Sequence, residues 1–557
     1  MHPIIECVPN FSEGNDPNLI RQITDQIESV EGVRLLNVDP GKATNRTVVT
    51  FVGSPEAVVR AAFLAIKKAG ELIDMSKHKG AHPRMGATDV CPLIPVANIS
   101  MEETAKYAQQ LAKRVGEELN IPVYLYESAQ PDKSRSNLSV IRAGEYEGFF
   151  KKIKEPQWKP DFGPSTFDAK RGGTVIGARD FLVAYNVNLN TTSTRRANAI
   201  AFDVREAGRK VKIKTKDAKG NDVEEERVQP GSLKCVKAIG WFIEEYGVAQ
   251  ISINLTNINV TPVHIAFDEV CKKAEARGIR VTGSELVGLI PLKAMLDAGK
   301  YFLRKQRRST GVSEKELIKI AVKSMGLDEL YPFKAEVKII EYMLNDKPRL
   351  ANMTLNDFAD ETASESPAPG GGSIAAYVGA LGVSLGTMVA NLSSHKKGWD
   401  ERWEEFGNWA EKGQQYKDEL LRLVDMDTKA FSQIMNAFGM PKSTDEEKLS
   451  RNKAIQDATK FAIEIPFKVM QTSYDSMEVI KAMADIGNPN SVSDAGVGAL
   501  CARSSVMGAY MNVRINAAAY DDKSFVKDIV QKGKIIEERA IAKETEILQL
   551  VNQKIGI

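Results

Sequence analysis

The sequence predicts a multidomain protein in which two α/β subdomains, of an α+β sandwich-like kind, precede an all-α helical bundle. Up to about residue 335, short strand-like runs alternate with amphipathic helical segments. Beyond that point the alternation disappears and long helical periods take over. The length of 557 residues leaves room for three or four domains of ordinary size.

The first predicted subdomain covers residues 1–180. A Ser54-Pro55 pair opens a helix, because serine caps free N–H groups and proline fits the first helical position. The composition of residues 39–45 predicts a turn. A second helix is predicted at about 102–118, and strands are predicted at 4–10, 33–38, 46–53, 89–96 and 121–126.

The second predicted subdomain covers residues 181–326 and repeats this pattern. A strand at 250–255 leads to Thr261-Pro262, which we expect to open a helix as Ser54-Pro55 does. Alternation from residue 182 predicts another strand, and a helix follows at about 194–208. Residues 210–214 and 223–228 form a charged surface hairpin by their composition.

The last third is predicted to be a bundle over residues 367–557, joined to the second subdomain by a linker at 327–366. Residues 370–394 carry no charge and are long enough to span a bilayer. Their Gly, Ala and Ser content favours the central helix of a bundle over membrane insertion, because small residues let helices approach closely. Helices are predicted at about 371–393, 401–437, 445–475, 494–518 and 523–553.

Composition and charge argue against several classes of function. The net charge of +2 and the isoelectric point near 8.0 give no sign of binding to nucleic acid or to a membrane surface. The five cysteines are scattered, without paired spacing, which favours a reduced cytoplasmic compartment over a structural zinc site. The N-terminus shows no basic segment followed by an apolar run, so we expect no signal peptide.

Residues 77–86 hold two of the five histidines in a loop that glycine and proline keep from forming a helix. His78 and His82 are four residues apart, a spacing that suits a metal pair only on a helix, and no third ligand is near. A proton-transfer histidine and an ordinary solvated histidine remain open. His82 is the better candidate, since Pro83 restricts its backbone and Arg84 places a cation beside it.

Two glycine-rich segments are candidates for ligand binding. Residues 163–174 form a loop with a Lys170-Arg171 pair but lack the spacing of a nucleotide-binding loop, so they either cover a ligand or link subdomains. Residues 367–373 precede a predicted helix, whose bare N–H groups favour an anion or a carbonyl. The alternative for this second segment is that its glycines only permit tight packing.

Asp427 lies on the apolar stripe of its predicted helix, whereas Asp425 lies about 200° away around the axis. The two carboxylates therefore do not serve one site from one straight helix. Burial disfavours the charged form of Asp427 and makes it a candidate general acid. The alternative is a buried carboxylate paired with a cation such as Arg422 or Arg514. Ser493 or Asp494 either caps the next helix or belongs to a site.

With these motifs in view, the chain resembles the formimidoyltransferase-cyclodeaminase family over nearly its whole length. The resemblance rests on ordered blocks at residues 6–14, 44–47, 78–86, 161–165, 368–373 and 423–427. It implies two formiminotransferase subdomains followed by a cyclodeaminase bundle. The charged hairpin at about 209–229 departs from the mammalian pattern.

The resemblance implies a bifunctional transferase and ammonia-lyase of histidine degradation and one-carbon metabolism. The formimino group moves from N-formimino-L-glutamate to N-5 of tetrahydrofolate, and cyclodeamination then gives 5,10-methenyltetrahydrofolate and ammonia. The family's catalytic residues match His82 and Asp427, and neither reaction needs a metal or a nucleotide. Its folate-binding segment matches Gly163, Pro164, Ser165, Thr166, Phe167, Asp168, Ala169, Lys170, Arg171 and Gly172.

Further expectations concern support and assembly. Arg46 or Arg84 would hold a carboxylate of the formimino donor, and Asp39 would orient the imidazole of His82. The other candidate supporting residues are Asn45, Gly370, Gly371, Gly372, Ser373 and Asp494. The resemblance implies a cytoplasmic, dimer-based homo-oligomer, with an octamer as one form, and a polyglutamylated folate. The alternatives are a single-activity glutamate formimidoyltransferase with a structural bundle, or a folate-binding scaffold.

Overall fold

A computed structural model of the chain describes residues 3–42, 44–80, 83–216, 222–344 and 350–556. The chain forms two compact units. One consists of Met1–Ala294 with Met325–Leu344, and the other of Met295–Ser324 with Asn345–Ile557. The predicted fold class is confirmed: two α/β regions with their own sheets precede a helical region.

The first sheet has seven strands and is mixed, because β7 runs parallel to β5 and β6 while the other pairs are antiparallel. Strands β1 and β2 together fill one position between β4 and β5. The elements are β1 (Ile4–Cys7), β2 (Asn10–Phe11), α1 (Pro17–Glu28), β3 (Val33–Gly41), β4 (Arg46–Gly53), α2 (Pro55–Leu72), β5 (Thr88–Ala97), α3 (Met101–Leu119), β6 (Val123–Glu127), α4 (Leu138–Ile141), α5 (Glu145–Lys152) and β7 (Thr174–Ala178).

The two faces of this sheet are covered differently. Helices α1, α2 and α3 bury one face in a core that includes Phe51, Ile66 and Leu111. On the other face, α4 and α5 cover β5, β6 and β7 through a smaller cluster that includes Tyr124 and Phe149. Burial of these side chains removes apolar surface from water and holds the layers together. The loops that leave the ends of β5, β6 and β7 therefore start from a rigid base.

The second sheet is antiparallel with four strands in the order β11-β12-β8-β13, and α6 and α7 pack against it. Strands β9 and β10 form a separate two-stranded ribbon, which is the predicted charged hairpin. The elements are β8 (Val183–Leu189), α6 (Thr194–Val204), β9 (Arg209–Lys216), β10 (Asp222–Gln229), β11 (Val236–Ile243), β12 (Val248–Leu255), α7 (Val263–Glu275), β13 (Val281–Val287), α8 (Leu292–Lys305), α9 (Glu314–Met325), α10 (Ala335–Lys338) and α11 (Ile340–Leu344).

The C-terminal helices form a bundle in which α13 packs against α14, α15 and α16. Gly382 of α13 is needed for this packing, because a Cβ there would lie 2.8 Å from the carbonyl oxygen of Gly498. By length and composition α13 passes as a membrane span, but 61% of its apolar window is buried inside the protein. The elements are α12 (Leu355–Ala363), α13 (Gly371–Ser394), α14 (Trp403–Phe438), α15 (Asp445–Ile486), α16 (Val492–Ala517) and α17 (Lys523–Ile555).

Local expectations were wrong at three points. Residues 39–41 belong to β3 rather than to a turn, and Pro40 is tolerated because this edge strand pairs only with β4. Pro55 begins α2 as predicted, but the Ser54 side chain makes no capping bond. Helix α7 begins one residue later than predicted, since Pro262 is its cap and the Thr261 hydroxyl donates to Lys234 O.

The predicted linker at 327–366 is partly helical, because it contains α10, α11 and α12. Residues 295–324 belong with the C-terminal helices, although they fall before the predicted boundary at 326. Lys300 and Thr310 show why, since both bind the Glu411 carboxylate on α14. The domain boundaries predicted from the sequence remain a prediction.

Candidate functional site

The described part of the histidine loop, residues 77–80 and 83–84, lies against the connection between β3 and β4. Asn45 fixes the two segments together: its side chain accepts the N–H of Gly14 and donates to Lys79 O. The backbone of Asn45 is left-handed, with φ 47°, a conformation that asparagine tolerates better than most residues. Asn45 thus positions the loop as a supporting residue.

His78 uses both ring nitrogens inside the protein. Its Nε2 lies 2.9 Å from Asn45 O, and its Nδ1 lies 3.2 Å from Arg84 Nε. Because a guanidinium only donates and a carbonyl only accepts, Nδ1 is the acceptor and Nε2 carries the hydrogen. His78 therefore acts as a bridge between the connection and Arg84, and neither nitrogen is left for a metal.

Arg84 is held by two glutamates of α5. Its guanidinium makes a two-pronged bond to Glu147, at 2.6 and 2.8 Å, and a longer one to Glu145 at 3.3 Å. Burial opposes the charge on Arg84, but the glutamates outweigh it and raise the pKa of the guanidinium. Glu145 and Glu147 thus bind the Arg84 guanidinium, and the predicted contact of Arg84 with a carboxylate of the formimino donor remains a prediction.

A β-bulge at Asp89 brings two further arginines to the same region. Asn10 and Phe11 pair with Val90 and Thr88, which leaves Asp89 as the extra residue. Its Oδ1 accepts the N–H of Met85 at 3.1 Å, and its Oδ2 lies 3.4 Å from Arg46 and 2.8 Å from Arg142.

Burial controls the charges of this group. It raises the pKa of Asp89, although Arg142 and Arg46 oppose the shift. It lowers the pKa of Arg46 to about 10, and Asp89 opposes that change. Arg46 was a candidate from its sequence, whereas Arg142 was missed because nothing near it in the sequence indicates this contact.

The predicted folate loop, residues 163–172, lies next to the histidine loop. Gly172 bridges Gly86, and the N–H of Met75 donates to Lys170 O. The two loops therefore meet at one end of the sheet, although 78 residues of chain, 85–162, separate them. This adjacency is what a shared transferase site would require.

The cations of the folate loop have structural partners. Lys170 donates to Glu71 O at the end of α2, and Arg171 donates to Leu119 O at the end of α3. Such bonds satisfy carbonyls that a helix end leaves free. Arg171 also pairs with Asp168 at 2.5 Å. The loop is thus an ordered part of the fold rather than a loose linker, and its contacts with a ligand remain a prediction.

An open pocket of about 510 Å³ adjoins the histidine loop. Its lining is rich in charged groups, since it includes Lys79, Arg84, Glu145 and Glu147. Gly80 and Gly144 complete the described lining. Charged groups of both signs suit a ligand that has both amine and carboxylate groups.

Two predicted residues of this site need separate mention. His82 lies outside the described residues, so its proton-transfer role remains a prediction. Asp39 is exposed on the edge strand β3. Among the described residues, its charge acts on Tyr331 and Lys338. Burial raises the pKa of Tyr331, and Asp39 adds to this rise; burial lowers the pKa of Lys338, and Asp39 opposes this fall. A contact of Asp39 with His82 also remains a prediction.

The second sheet carries a buried polar network that sequence reasoning missed. Gln250 donates to Asn188, and Asn186 donates to Glu285. The hydroxyls of Tyr246 and Tyr331 also donate to Glu285. The sequence pattern that could have indicated this network is the alternation of Asn186 and Asn188 with buried apolar residues along one strand. Polar side chains of this density on a sheet face mark a candidate ligand surface.

The second candidate site lies where α13 begins. The hydroxyl of Ser373 lies 2.9 Å from Asp427 Oδ2, and the Ser373 backbone N–H also donates to this carboxylate. Gly372 allows the approach, because a Cβ there would lie 2.3 Å from Asp427 Oδ1. The anion expected at this helix N-terminus is therefore the protein's own carboxylate, which is favoured by the helix dipole.

The state of Asp427 follows from two opposing effects. Burial raises the pKa of its carboxyl, and the hydroxyl and N–H of Ser373 oppose the rise. Neither predicted cation partner binds it: Arg422 pairs with Glu419, and Arg514 lies over the ring of Tyr510. The geometry favours the interpretation of a perturbed acid over that of a buried ion pair.

Two other acids of the bundle lie apart from Asp427. Asp425 accepts the N–H of Leu350, and its pKa is also raised by burial. Asp494 lies in the first turn of α16, whose cap is Ser491, so the predicted cap at Ser493 or Asp494 is wrong. The α13 N-terminus lies instead beside Asn512, which is about 27 Å further along α16 at the rise of a helix.

Among the residues that the structure describes, no group of three or more His, Cys, Asp or Glu side chains forms a potential metal site. The two candidate sites instead combine cations, a histidine loop and a buried acid. The acid and the histidine suit proton transfer, and the cations suit the binding of anions.

Comparison with known proteins assigns all three regions. Family models described as "Formiminotransferase domain, N-terminal subdomain", "Formiminotransferase domain" and "Formiminotransferase-cyclodeaminase" match residues 4–179, 184–345 and 354–534. The formimidoyltransferase-cyclodeaminase of Gallus gallus is 43% identical over 557 residues, which is 100% of both chains. That of Mus musculus is 43% identical and covers 94% of each chain. The glutamate formimidoyltransferase of Thermoplasma acidophilum is 43% identical over 54% of this chain and 92% of its own.

Proposed function

The chain belongs to the formimidoyltransferase-cyclodeaminase family, and we propose that it catalyses both reactions in that name at two separate sites. The first reaction transfers the formimino group from N-formimino-L-glutamate to tetrahydrofolate. The second closes 5-formiminotetrahydrofolate to 5,10-methenyltetrahydrofolate and releases ammonia. The likeness to a bifunctional relative over the full length of both chains carries this proposal.

The transfer step takes place at the end of the first sheet where the histidine and folate loops meet. N-5 of tetrahydrofolate attacks the formimino carbon and must lose a proton as it does so. His82 accepts that proton and returns it to the departing glutamate amine. The double engagement of His78 supports this choice, because it leaves His82 as the histidine of this loop that is available for proton transfer.

Folate binds along residues 163–172. Their position beside the histidine loop supports this proposal, since N-5 of the folate must come within reach of His82. Asn45 holds the histidine loop in place through the hydrogen bond that its side chain donates to Lys79 O. The polar network around Glu285 offers hydrogen-bonding groups to further parts of the folate. The folate is tetrahydrofolate as co-substrate, in its polyglutamylated form.

Cyclodeamination takes place at the start of α13. N-10 attacks the formimino carbon, and the former imino nitrogen must gain protons before it leaves as ammonia. Asp427 supplies a proton, because burial keeps its carboxyl protonated at higher pH than an exposed aspartate. Ser373 holds the carboxyl in place, and Gly372 leaves room beside it. Of the other candidate supporting glycines, Gly371 faces the Asn512 side chain and Gly370 faces open space.

The protein works as a cytoplasmic homo-oligomer built from dimers, in which the bundle contributes a subunit contact. Exposed apolar side chains on α13 and on the neighbouring α16 support this assembly. Leu381, Met388 and Leu392 on α13 are 39–46% exposed, and Leu500 on α16 is 41% exposed. Soluble monomers rarely leave so many large apolar groups on adjacent helices in contact with water.

A single transferase activity with a structural bundle is the second candidate function. The glutamate formimidoyltransferase of Thermoplasma acidophilum, which covers only the first 54% of this chain, is the observation in its favour. The half-buried Asp427 carboxyl argues against it, because a purely structural bundle has no need for an acid held at the start of α13.

The experiment that tests the proposal mixes the protein with N-formimino-L-glutamate and tetrahydrofolate and follows methenyltetrahydrofolate absorbance together with ammonia. We expect both signals to rise at equal rates. Accumulation of 5-formiminotetrahydrofolate without ammonia would support the single-activity alternative. Tight folate binding with neither signal would indicate a scaffold protein and contradict the proposal.

A further inference from the structure

The bulge at Asp89 creates a buried group with more positive than negative charge. One carboxylate faces two guanidiniums, those of Arg46 and Arg142, at 3.4 and 2.8 Å. The Asp89 side chain is fully buried, and the arginine side chains are only 14% and 12% exposed. Buried charges are costly unless opposite charge compensates them. Arg142 therefore shares this one carboxylate with a second guanidinium, and a further anionic group beside Arg142 would be favoured.

The hydrogen bonding of Arg142 points the same way. Its Nε and Nη2 are buried and make no hydrogen bond of normal geometry with the residues that the structure describes, although Nη2 lies 2.8 Å from Asp89 Oδ2. Asp89 Oδ2 is also buried and also lacks a hydrogen bond of normal geometry with the described residues. Buried polar atoms are almost always bonded, so a group of such atoms at one place indicates an absent partner.

Three other cations near the histidine loop already have partners within the protein. Arg84 is bound by Glu147 and Glu145. Lys170 and Arg171 donate to the carbonyl groups that end α2 and α3. Arg142 differs from these three, because its buried Nε and Nη2 make no normal hydrogen bond with the described residues.

The position of the group defines the ligand. Asp89 Oδ1 accepts the N–H of Met85, which directly follows Arg84 in the histidine loop. A carboxylate bound at Arg142 therefore lies within a few residues of the loop where transfer is proposed. Of the two substrates, the formimino donor is a small dicarboxylate whose reacting carbon is only a few bonds from its carboxylates.

We propose that Arg142 binds one carboxylate of the formimino donor, and that Asp89 is the positioning residue that holds its guanidinium. The assignment rests on the proposed transferase function. A guanidinium offers the forked donors that match a carboxylate. Arg142 then sets the specificity of the site for a dicarboxylic amino acid.

The competing interpretation is that the three residues only fasten α4 to the bulged strand. Such a role predicts a loss of stability when Arg142 is changed, but no selective effect on the donor. The binding role predicts that the KM for N-formimino-L-glutamate rises while the KM for tetrahydrofolate does not. Measurement of the two KM values therefore distinguishes the binding role from the purely structural role.

The first test is Arg142→Gln, with Arg142→Lys as the conservative variant. We expect the KM for N-formimino-L-glutamate to rise about 10- to 100-fold, as expected for the loss of a charge-assisted hydrogen bond, and Arg142→Lys to recover part of it. Arg135→Gln is the matched control, because Arg135 is a partly buried arginine of the same subdomain paired with Asp161. An unchanged donor KM with a lower melting temperature would overturn the proposal.

The second test uses the wild-type chain, so it does not depend on the folding of a variant. L-Glutamate and its two monoamides, glutamine and isoglutamine, are titrated calorimetrically and compared as inhibitors of transfer. We expect one of the amides to bind at least about tenfold more weakly than glutamate, since it lacks the carboxylate held by Arg142. Equal binding of all three would overturn the proposal. If the wild-type chain shows no transfer, the proposed function fails, yet calorimetry of glutamate with the wild-type chain and with Arg142→Gln still decides whether Arg142 binds a carboxylate.

Discussion

Asp427 and Asp425 lie two residues apart on α14, yet the fold gives them different surroundings. Asp427 is bound by Ser373 at the start of α13, whereas Asp425 accepts the N–H of Leu350. Burial raises the pKa of both carboxyls. A raised pKa by itself therefore does not identify the catalytic acid, and position must decide.

The first prediction compares these two acids. Asp427→Asn keeps the shape of the side chain but removes the acidic proton, so cyclodeamination of supplied 5-formiminotetrahydrofolate should fall by about 100-fold or more. Transfer to tetrahydrofolate should be retained. Asp425→Asn is the matched control and should leave ammonia release close to the wild-type rate. Equal losses in the two variants would contradict the assignment.

The second prediction concerns the pH dependence of cyclodeamination. The protonated form of Asp427 is the active one, so the rate should fall as the pH rises through its pKa. Ser373 donates to the carboxylate and so lowers this pKa. Ser373→Ala removes the hydroxyl bond, raises the pKa and should move the alkaline limb of kcat/KM to higher pH. An unmoved or oppositely moved limb would show that Asp427 does not set the profile.

At this scale the sequence predicts types of residue better than their contacts. The apolar stripe selects Asp427, because helical periodicity connects sequence position with burial. Arg142 is different, since its partner Asp89 is 53 positions away and is turned toward it by a bulge. Neither the distance in sequence nor the bulge leaves a local pattern. The same holds for Glu145 and Glu147, which neutralise Arg84 from another element.

Helix α13 is the element on which the cyclodeaminase proposal depends. Its first residues hold Asp427, its middle packs on α16 through Gly382, and it lies against three other helices of the bundle. The bounds predicted for it, 371–393, agree with the observed Gly371–Ser394 within one residue. The Gly-rich start and the long uncharged run make these bounds readable from the sequence alone.

The third prediction tests the start of α13 with two neighbouring glycines. Gly372→Ala would place a Cβ 2.3 Å from Asp427 Oδ1 and must displace the carboxyl. Cyclodeamination should therefore fall sharply, while transfer is unaffected. In Gly371→Ala the new Cβ meets only the Asn512 side chain, at 3.5 Å, which is an ordinary contact.

The Gly371→Ala variant should retain activity and gain up to about 1 kcal/mol in the free energy of unfolding, because alanine favours a helix over glycine. Activity assays and thermal melts of both variants provide the comparison. Equal activity in the two variants would show that the contact between Gly372 and Asp427 has no catalytic importance.

Other elements show where sequence patterns fail. Helix α15 continues to Ile486 with Pro466 inside it, whereas its end was expected near 475. Strands β11 and β13 escaped detection. In β13, Gly283 and the network residue Glu285 interrupt the apolar alternation that marks a strand. Tertiary packing overrides local preference at these places.

The chain forms two compact units, and the sequence correctly predicts which regions are α/β and which region is helical. Alternating short elements indicate the α/β regions, and long helical periods indicate the bundle. The membership of residues 295–324 in the bundle unit was not predictable, because it depends on contacts such as that of Lys300 with Glu411. Helices α8 and α9 themselves give no signal of the unit to which they belong.

The fourth prediction concerns assembly. Leu500→Glu places a charge on the exposed apolar surface of α16, where the side chain is 41% exposed. If that surface is a subunit contact, the mass measured by light scattering should fall to that of a smaller species. Leu449→Glu is the control, because Leu449 is 75% exposed at the start of α15. An unchanged mass for Leu500→Glu would exclude this surface as a subunit contact.

The most direct test of two separate sites is to mix two inactive chains. His82→Ala alone should release no ammonia from N-formimino-L-glutamate and tetrahydrofolate, and Asp427→Asn alone should accumulate 5-formiminotetrahydrofolate. In the mixture, the intermediate made by one chain is available to the other, so ammonia and methenyltetrahydrofolate should both appear after a lag. Absence of ammonia from the mixture, while Asp427→Asn still makes the intermediate, would contradict the account.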